Sequence, residues 1–251
     1  MKLAAIVPTL GRCPHLERCL GALRAQASGD LDIEIVLIDQ GESPSEIPAG
    51  LADRVIRPQE NVGFAAGTNL GIAATASEFL ATVNDDAIVE EGWAAALLAA
   101  LANDEKIAAV QGVNMQLDDP ARVDGWGLAW NAWWQAIQLG AGESPPARNA
   151  PAREVFGVSA TAAIYRRVAL DVVKVGESSW FEPALGSYYE DAELAGRLRS
   201  AGFRALSVPA ARALHAGSAT AGSTRWPLVY GNRHLAAARL LGRGYWLALP
   251  R

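Results

Sequence analysis

Apolar residues in the first 115 positions fall into short continuous runs separated by segments of helical spacing. Residues 3–7 form one run, closed by Pro8 and Thr9, and residues 33–39 (IEIVLID) form a second that ends in a carboxylate. Residues 54–57 are a short third candidate. Phe79–Val83 is a fourth, stopping abruptly at Asn84, Asp85 and Asp86, and residues 107–115 (IAAVQGVNM) are a fifth. Between them, Leu16, Leu20 and Leu23 share one helical face within residues 15–27, NVGFAAGTNLGIAATA carries loop glycines into a helix, and residues 91–103 are rich in helix formers. Runs this apolar are buried on both faces, so the alternation predicts βαβ units and a mostly parallel, doubly wound sheet with right-handed crossovers.

Beyond Asp118 the pattern changes. VDGWGLAWNAWWQAIQLG holds Trp126, Trp130, Trp133 and Trp134, half of the eight tryptophans. Such a cluster reads either as packing of a β-ribbon or as an aromatic platform for a sugar ring or isoprenoid. AGESPPARNAPAR, residues 141–153, is expected to be a mobile loop. Residues 154–167 read as strand and turn, with a helix from Val168. A better marked helix follows: Glu190, Asp191 and Glu193 enrich its first turn, Leu194 and Leu198 face inward, and Gly202 ends it. FRALSVP reads as one strand and ALHAGSAT as a further extended segment carrying His215. The last helix carries Tyr230, Arg233 and Arg239 and runs into the apolar tail YWLALP.

The 251 residues are expected to form one domain with an elaborated second half, its parts falling at about 1–117, 118–224 and a C-terminal helix at 225–251. A net charge of -5 with no basic block excludes a nucleic-acid surface. The first apolar run breaks at Pro8, too early for a secretory leader, and residues 93–102 fall short of the roughly 18 to 20 apolar residues that span a bilayer. The expected compartment is therefore cytoplasmic. Cys13 and Cys19 lack ligand partners at metal spacing and are expected to be free thiols.

The candidate chemistry is acidic. Asp39, Asp85, Asp86, Glu190 and Asp191 lie at strand ends or a helix start, and the loops of such a sheet converge on one edge. Paired carboxylates repel, whereas a divalent cation relieves that cost and takes its remaining oxygens from a substrate phosphate. His215 would favour manganese over magnesium as a ligand, or else serve as a hydrogen-bonded structural histidine.

Several segments, in this order and spacing, resemble one family: IVPTLGR, VLIDQGES, ENVGFAAGTNLGI, ATVNDDAIVEEGW, FGVSATAAIYRRVAL, SYYEDAELAGRLRSAGFR, ALHAGS and YGNRHLAAARL. Over nearly its whole length the chain is similar to the inverting family 2 glycosyltransferases of GT-A fold, and among them to rhamnosyltransferase-like members. The resemblance implies that Pro8, Thr9 and Asp39 border the nucleotide base and ribose, and that Asn61, Gly63, Gly67 and Asn69 line the donor pocket. It implies that Asn84-Asp85-Asp86 stands for the DxD motif, with Asp86 the main ligand of Mn2+ or Mg2+, and Asn84 and Asp85 on the donor side. Asp191 would be the general base, with Glu190 beside it, and His215 would complete the metal site.

The implied partners are a nucleotide-sugar donor and a hydroxyl acceptor, whether glycan, lipid-linked or small molecule. A lipid-linked acceptor would bring the chain to the inner face of a membrane. Two departures stand out: DQGESPS replaces the usual DNxSxD, with Gln40 for Asn, and Asn84 takes the first carboxylate position of DxD. The competing readings are a non-catalytic binder of nucleotide sugars or glycans on the same fold and, more remotely, a nucleotidyltransferase. VPTLGRCPHLER lacks the Gly- and Lys-rich phosphate loop of the latter.

Overall fold

A computed structural model describes residues 1–217 and 225–242. The apolar runs form the strands expected of them. β1 (Lys2–Thr9), β2 (Asp32–Asp39), β3 (Arg54–Ile56) and β4 (Phe79–Val83) lie side by side in the order β4-β1-β2-β3, all parallel. Successive residues of β1 feed opposite cores: Leu3, Ala5 and Val7 pack against α1 (Leu16–Arg24) and α3 (Trp93–Ala102), while Ala4 and Ile6 pack towards α2 (Gly63–Ala73). Burial on both faces explains why β1, β2 and β4 are continuous apolar runs, each fully buried Leu or Ile contributing roughly 1.5–3 kcal/mol, whereas the short edge strand β3 is largely exposed.

The other half of the sheet is mixed. β11 (Ala162–Arg166) inserts antiparallel between β4 and β6 (Ile107–Gln116), and β12 (Arg204–His215) runs parallel to β6, with β10 (Arg153–Val155) antiparallel on its far side. FRALSVP and the stretch reaching His215 are one strand, not two. The register against β6 slips between Ser207 and Arg212, and this irregularity contains Pro209, which cannot donate to a ladder. Beyond the slip β12 also pairs with β5 (Ala87–Val89), carrying His215 opposite Ala87, one residue past Asp86. β7 (Val123–Gly125) joins the other side of β6, and β8 (Leu128–Trp130) with β9 (Ala136–Gln138) forms a separate hairpin.

α4 (Arg167–Val173) and α5 (Glu190–Ser200) cover the face shared with α2, and α6 (Arg225–Leu241) packs on α5. Glu193 is buried beneath α5, and Arg197 and Arg239 both bind it, so this first-turn acid ties α5 to α6. The Pro-rich segment is pinned. Arg212 donates to the Pro146 carbonyl at 2.6 Å, Arg148 pairs with Glu90, and Arg122 donates to the Gly142 carbonyl at 2.8 Å. Its prolines remove donors of its own, and neighbouring arginines hold its carbonyls. Among the described residues no helix is long and apolar enough to cross a membrane, and the tail YWLALP lies outside them.

Candidate active site

The parallel strands end on one edge, where a cleft of about 690 Å³ opens between the two halves of the sheet. Its floor is the turn that follows β4. The backbone amide of Asn84 donates to the Thr161 carbonyl at 2.8 Å, and the Cys19 and Cys13 thiols donate to the carbonyls of Asn84 and Asp85 at 3.3 and 3.4 Å. Both cysteines are free and buried, so their thiols brace the acidic turn. Thr9, at the end of β1, donates its hydroxyl to Asp85 Oδ2 at 2.6 Å. Burial nevertheless pushes the Asp85 carboxyl up to about 6, with the Asp86 charge adding to it.

Asp86 faces His215. Its Oδ1 lies 3.2 Å from His215 Nε2, the Asn84 amide is 3.4 Å from the same nitrogen, and His215 Nδ1 lies 3.0 Å from Asp124 Oδ2. Burial works against a charged imidazole here, yet the hydrogen bonds to Asp124 and Asp86 outweigh it and raise the His215 pKa to about 9.

The opposite wall carries Glu190 and Asp191, the first residues of α5. Asp191 accepts from the Ala192 amide at 2.7 Å and the Ala160 amide at 3.3 Å, which places it against the turn leading into β11. Glu190 is buried, and its Oε2 has no hydrogen-bond partner among the described residues. Burial raises both carboxyls, Glu190 well above its usual range with the Asp191 charge adding, while the backbone amides draw Asp191 back.

The turn before this pair is unusual. Tyr188 and Tyr189 have φ of 75° and 72°, a left-handed conformation that side chains rarely adopt in succession. Asn232 of α6 holds it, its amide donating to the carbonyls of Leu185, Ser187 and Tyr188 at 2.5, 2.8 and 3.0 Å. From the other side the Ala65 amide donates to the Gly186 carbonyl at 2.8 Å and the Phe64 amide to Ser187 Oγ at 3.2 Å. Gly63 permits this closeness, because a Cβ there would meet the Gly186 backbone at 3.1 Å and its φ is 82°.

Ten of the thirteen expected site residues meet in this cleft: Pro8, Thr9, Asn61, Gly63, Asn84, Asp85 and Asp86 on one side, Glu190 and Asp191 on the other, with His215 beside Asp86. Asp39, Gly67 and Asn69 do not line it. The Asp39 carboxylate is turned into its own loop, where burial opposes its charge but Ser45, Gly41 and Arg57 hold it below the usual carboxylate range. Gly67 makes room for the Gln40 side chain, 2.9 Å from where its Cβ would be, and it is Gln40 that reaches the cleft. Asn69 is spent on the backbone of Trp180 and Phe181, giving one hydrogen bond and accepting two. The tryptophans divide: Trp126 packs against the core, Trp130 lies against Tyr189 with centroids 5.8 Å apart, and Trp133 stands 72% exposed at the hairpin tip.

The profile of Glycosyl transferase family 2 matches residues 4–173. The chain belongs to that family. A search of curated proteins returns no match. Solved structures with the same fold include GalNAc-T7 with UDP, GalNAc and Mn2+ (TM-score 0.66, 15% identity, 86% of this chain and 44% of that one). They also include Staphylococcus aureus TarS 1-349 (0.61, 17%, 96% and 66%) and the mannosyltransferase PcManGT from Pyrobaculum calidifontis with GDP-Man and Mn2+ (0.62, 17%, 97% and 68%). The chain spans less than half the length of GalNAc-T7 and 40% of the longer TarS structure. At these identities the likeness shows the fold, that of the GT-A glycosyltransferases.

In this family 2 chain the donor set suits a hard divalent cation. Among the described residues no three ligating side chains converge. Asp86 and His215 bring an oxygen and a nitrogen within 3.2 Å of each other, two donors of the kinds a divalent cation accepts. Sequence reasoning gave no role to Asp124, which lies 91 residues from His215, or to Asn232, although the GNR segment carrying it was singled out. A buried polar residue in an otherwise amphipathic helix was the signal available for Asn232.

Proposed function

We propose that this chain is an inverting, metal-dependent glycosyltransferase that moves a hexose or a deoxyhexose such as rhamnose from a nucleoside diphosphate to a hydroxyl acceptor. The observation that carries the reading is one cleft joining Asp86 and His215 to the half-buried Asp191, with Asp86 more than a hundred residues before the other two in the chain. The acceptor is a glycan, lipid-linked or small-molecule alcohol, taken from the side bounded by the β8–β9 hairpin and Tyr189.

Pro8, Thr9, Gln40 and Asn61 line the end of the cleft that would take the nucleotide, and Asp86 with His215 would hold the cation. When bound, that cation acts as a Lewis acid on the leaving group. Asp191 accepts the acceptor's hydroxyl proton while the acceptor oxygen bonds to the anomeric carbon. The bond from that carbon to the diphosphate breaks, and the nucleoside diphosphate departs with the electron pair. A single displacement inverts the centre, and one carboxylate base suffices for it. The backbone amides of Ala160 and Ala192 keep Asp191 oriented and favour its anion.

Release of nucleoside diphosphate from a panel of nucleotide sugars, with Mn2+ and a pool of acceptor alcohols, tests the reading. Turnover that depends on acceptor is expected. Donor binding without turnover on any acceptor would instead favour a binding protein on the same fold.

A further inference from the structure

We infer that Asp124 positions His215 as a metal ligand, and the inference rests on the metal-dependent reading above. The two ring nitrogens of His215 face different carboxylates: Nδ1 lies 3.0 Å from Asp124 Oδ2 and Nε2 lies 3.2 Å from Asp86 Oδ1. A ring held at Nδ1 has its Nε2 fixed in direction: Asp124 orients the imidazole and keeps an N–H on Nδ1, and a cation binding at Nε2 would displace the proton that Nε2 otherwise shares with Asp86. Carboxylate-held histidines are the common form of histidine ligand in metal sites.

The backbone is shaped for this contact. Against β6, Asn114 faces Gly125 and Met115 faces Val123, so two steps along β7 match one along β6 and Asp124 is the extra residue. Such a bulge breaks the alternation of side chains and re-aims one of them. On the other side of β6, β12 brings His215 into register with Gln116, and the Leu117 amide donates to the His215 carbonyl at 2.9 Å, fixing the backbone of the histidine. Backbone and ring are thus held separately, the first by the sheet and the second by Asp124. The imidazole stands between the two carboxylates, so a cation held by Nε2 and Asp86 would have the ring between it and Asp124. Asp124 is therefore a positioning residue and not a ligand.

Mn2+ affinity separates these roles without measuring turnover. The full chain is titrated with Mn2+ in the presence of whichever of UDP, GDP and dTDP tightens the ion on the wild type. Asp124→Ala is expected to weaken Mn2+ about 10- to 100-fold. Asp124→Asn, whose amide oxygen still accepts from Nδ1, is expected to stay within about threefold of wild type, a rescue that follows from the same hydrogen bond. Thermal melting of the metal-free variants reports folding. Wild-type affinity in Asp124→Ala would overturn the proposal. So would an Asn variant as weak as Asp86→Ala, which would make the Asp124 charge a direct ligand. If no nucleotide tightens Mn2+ on the wild type, the metal-dependent reading itself falls; if the wild type binds and only the Asp124 result fails, that reading stands and the positioning role does not.

Discussion

The two ends of the cleft each carry adjacent carboxylates, yet their surroundings differ in kind. At one end Asp85 and Asp86 meet the Thr9 hydroxyl and the His215 imidazole, on a turn braced by β1 and by the thiols of Cys13 and Cys19. At the other, Asp191 meets backbone amides and the Ser159 hydroxyl and Glu190 Oε2 has no partner among the described residues, on a helix start reached through a left-handed turn. The first arrangement suits a fixed cation. Burial raises a carboxyl at both ends, Asp85 as well as Asp191, but only Asp191 has no cationic or imidazole neighbour among its hydrogen-bond partners, which suits the proposed removal of an alcohol's proton. Neighbouring acids of similar sequence appearance are thus set in different surroundings, which is what the proposed division of roles rests on.

Asp191→Asn breaks the comparison most deeply. It removes the proposed base and keeps the side chain's shape, so transfer should fall about 10²- to 10⁴-fold while Mn2+-dependent nucleotide binding is unchanged. A steady-state assay beside a binding titration checks both halves. Asp86→Ala should do the reverse at the other end, weakening Mn2+ by more than about 100-fold, since loss of a ligand should exceed loss of its support. Binding measured by paramagnetic resonance reads this directly.

Smaller effects sharpen the comparison. Asn232→Ala leaves three carbonyls of the left-handed turn without their donor, and should cost about 1–3 kcal/mol of stability in a denaturant melt. Because the turn aims Asp191, turnover should fall with it, and Mn2+ affinity should not. The pH dependence is subtler. Burial lifts the Asp191 carboxyl, so the acid limb of the rate profile should lie above the usual carboxylate range, activity falling as pH drops through it. Glu190 has the same direction. A folded-state pKa raised above the unfolded 4.5 means the native state holds the proton more tightly, so this stabilisation is full below about 4.5 and is lost as pH rises towards the folded value. Glu190→Gln should flatten that slope in melts taken across the range.

Much of the metal end was legible in the chain because its strands are continuous apolar runs ending in polar residues. β1, β2 and β4 declare themselves, and Asp85 and Asp86 follow β4 directly. What lay hidden depends on contacts between distant segments. Asn69 sits in a motif associated with donor binding, yet it is drawn to the backbone of Trp180 and Phe181, more than a hundred residues on. Asp39 ends β2 beside Thr9, as the pattern implies, but Arg57 and Ser45 turn its side chain inward. Asp124 owes its place to a bulge, which has no sequence period. The Pro-rich segment reads as mobile because its composition offers few internal bonds, whereas its anchors are Arg122, Arg212 and Glu90 of other elements.

The central claim is that the cation and the proton are handled at separate ends of one cleft, and ligand-induced thermal stabilisation tests it most directly. A ligand that binds only the folded chain raises its melting temperature. With a nucleoside diphosphate that binds, the wild type and Asp191→Asn should show the same rise in the presence of Mn2+ and little without it, while Asp86→Ala shows little in either case. An equal rise without Mn2+, or a full rise in Asp86→Ala, would contradict the account.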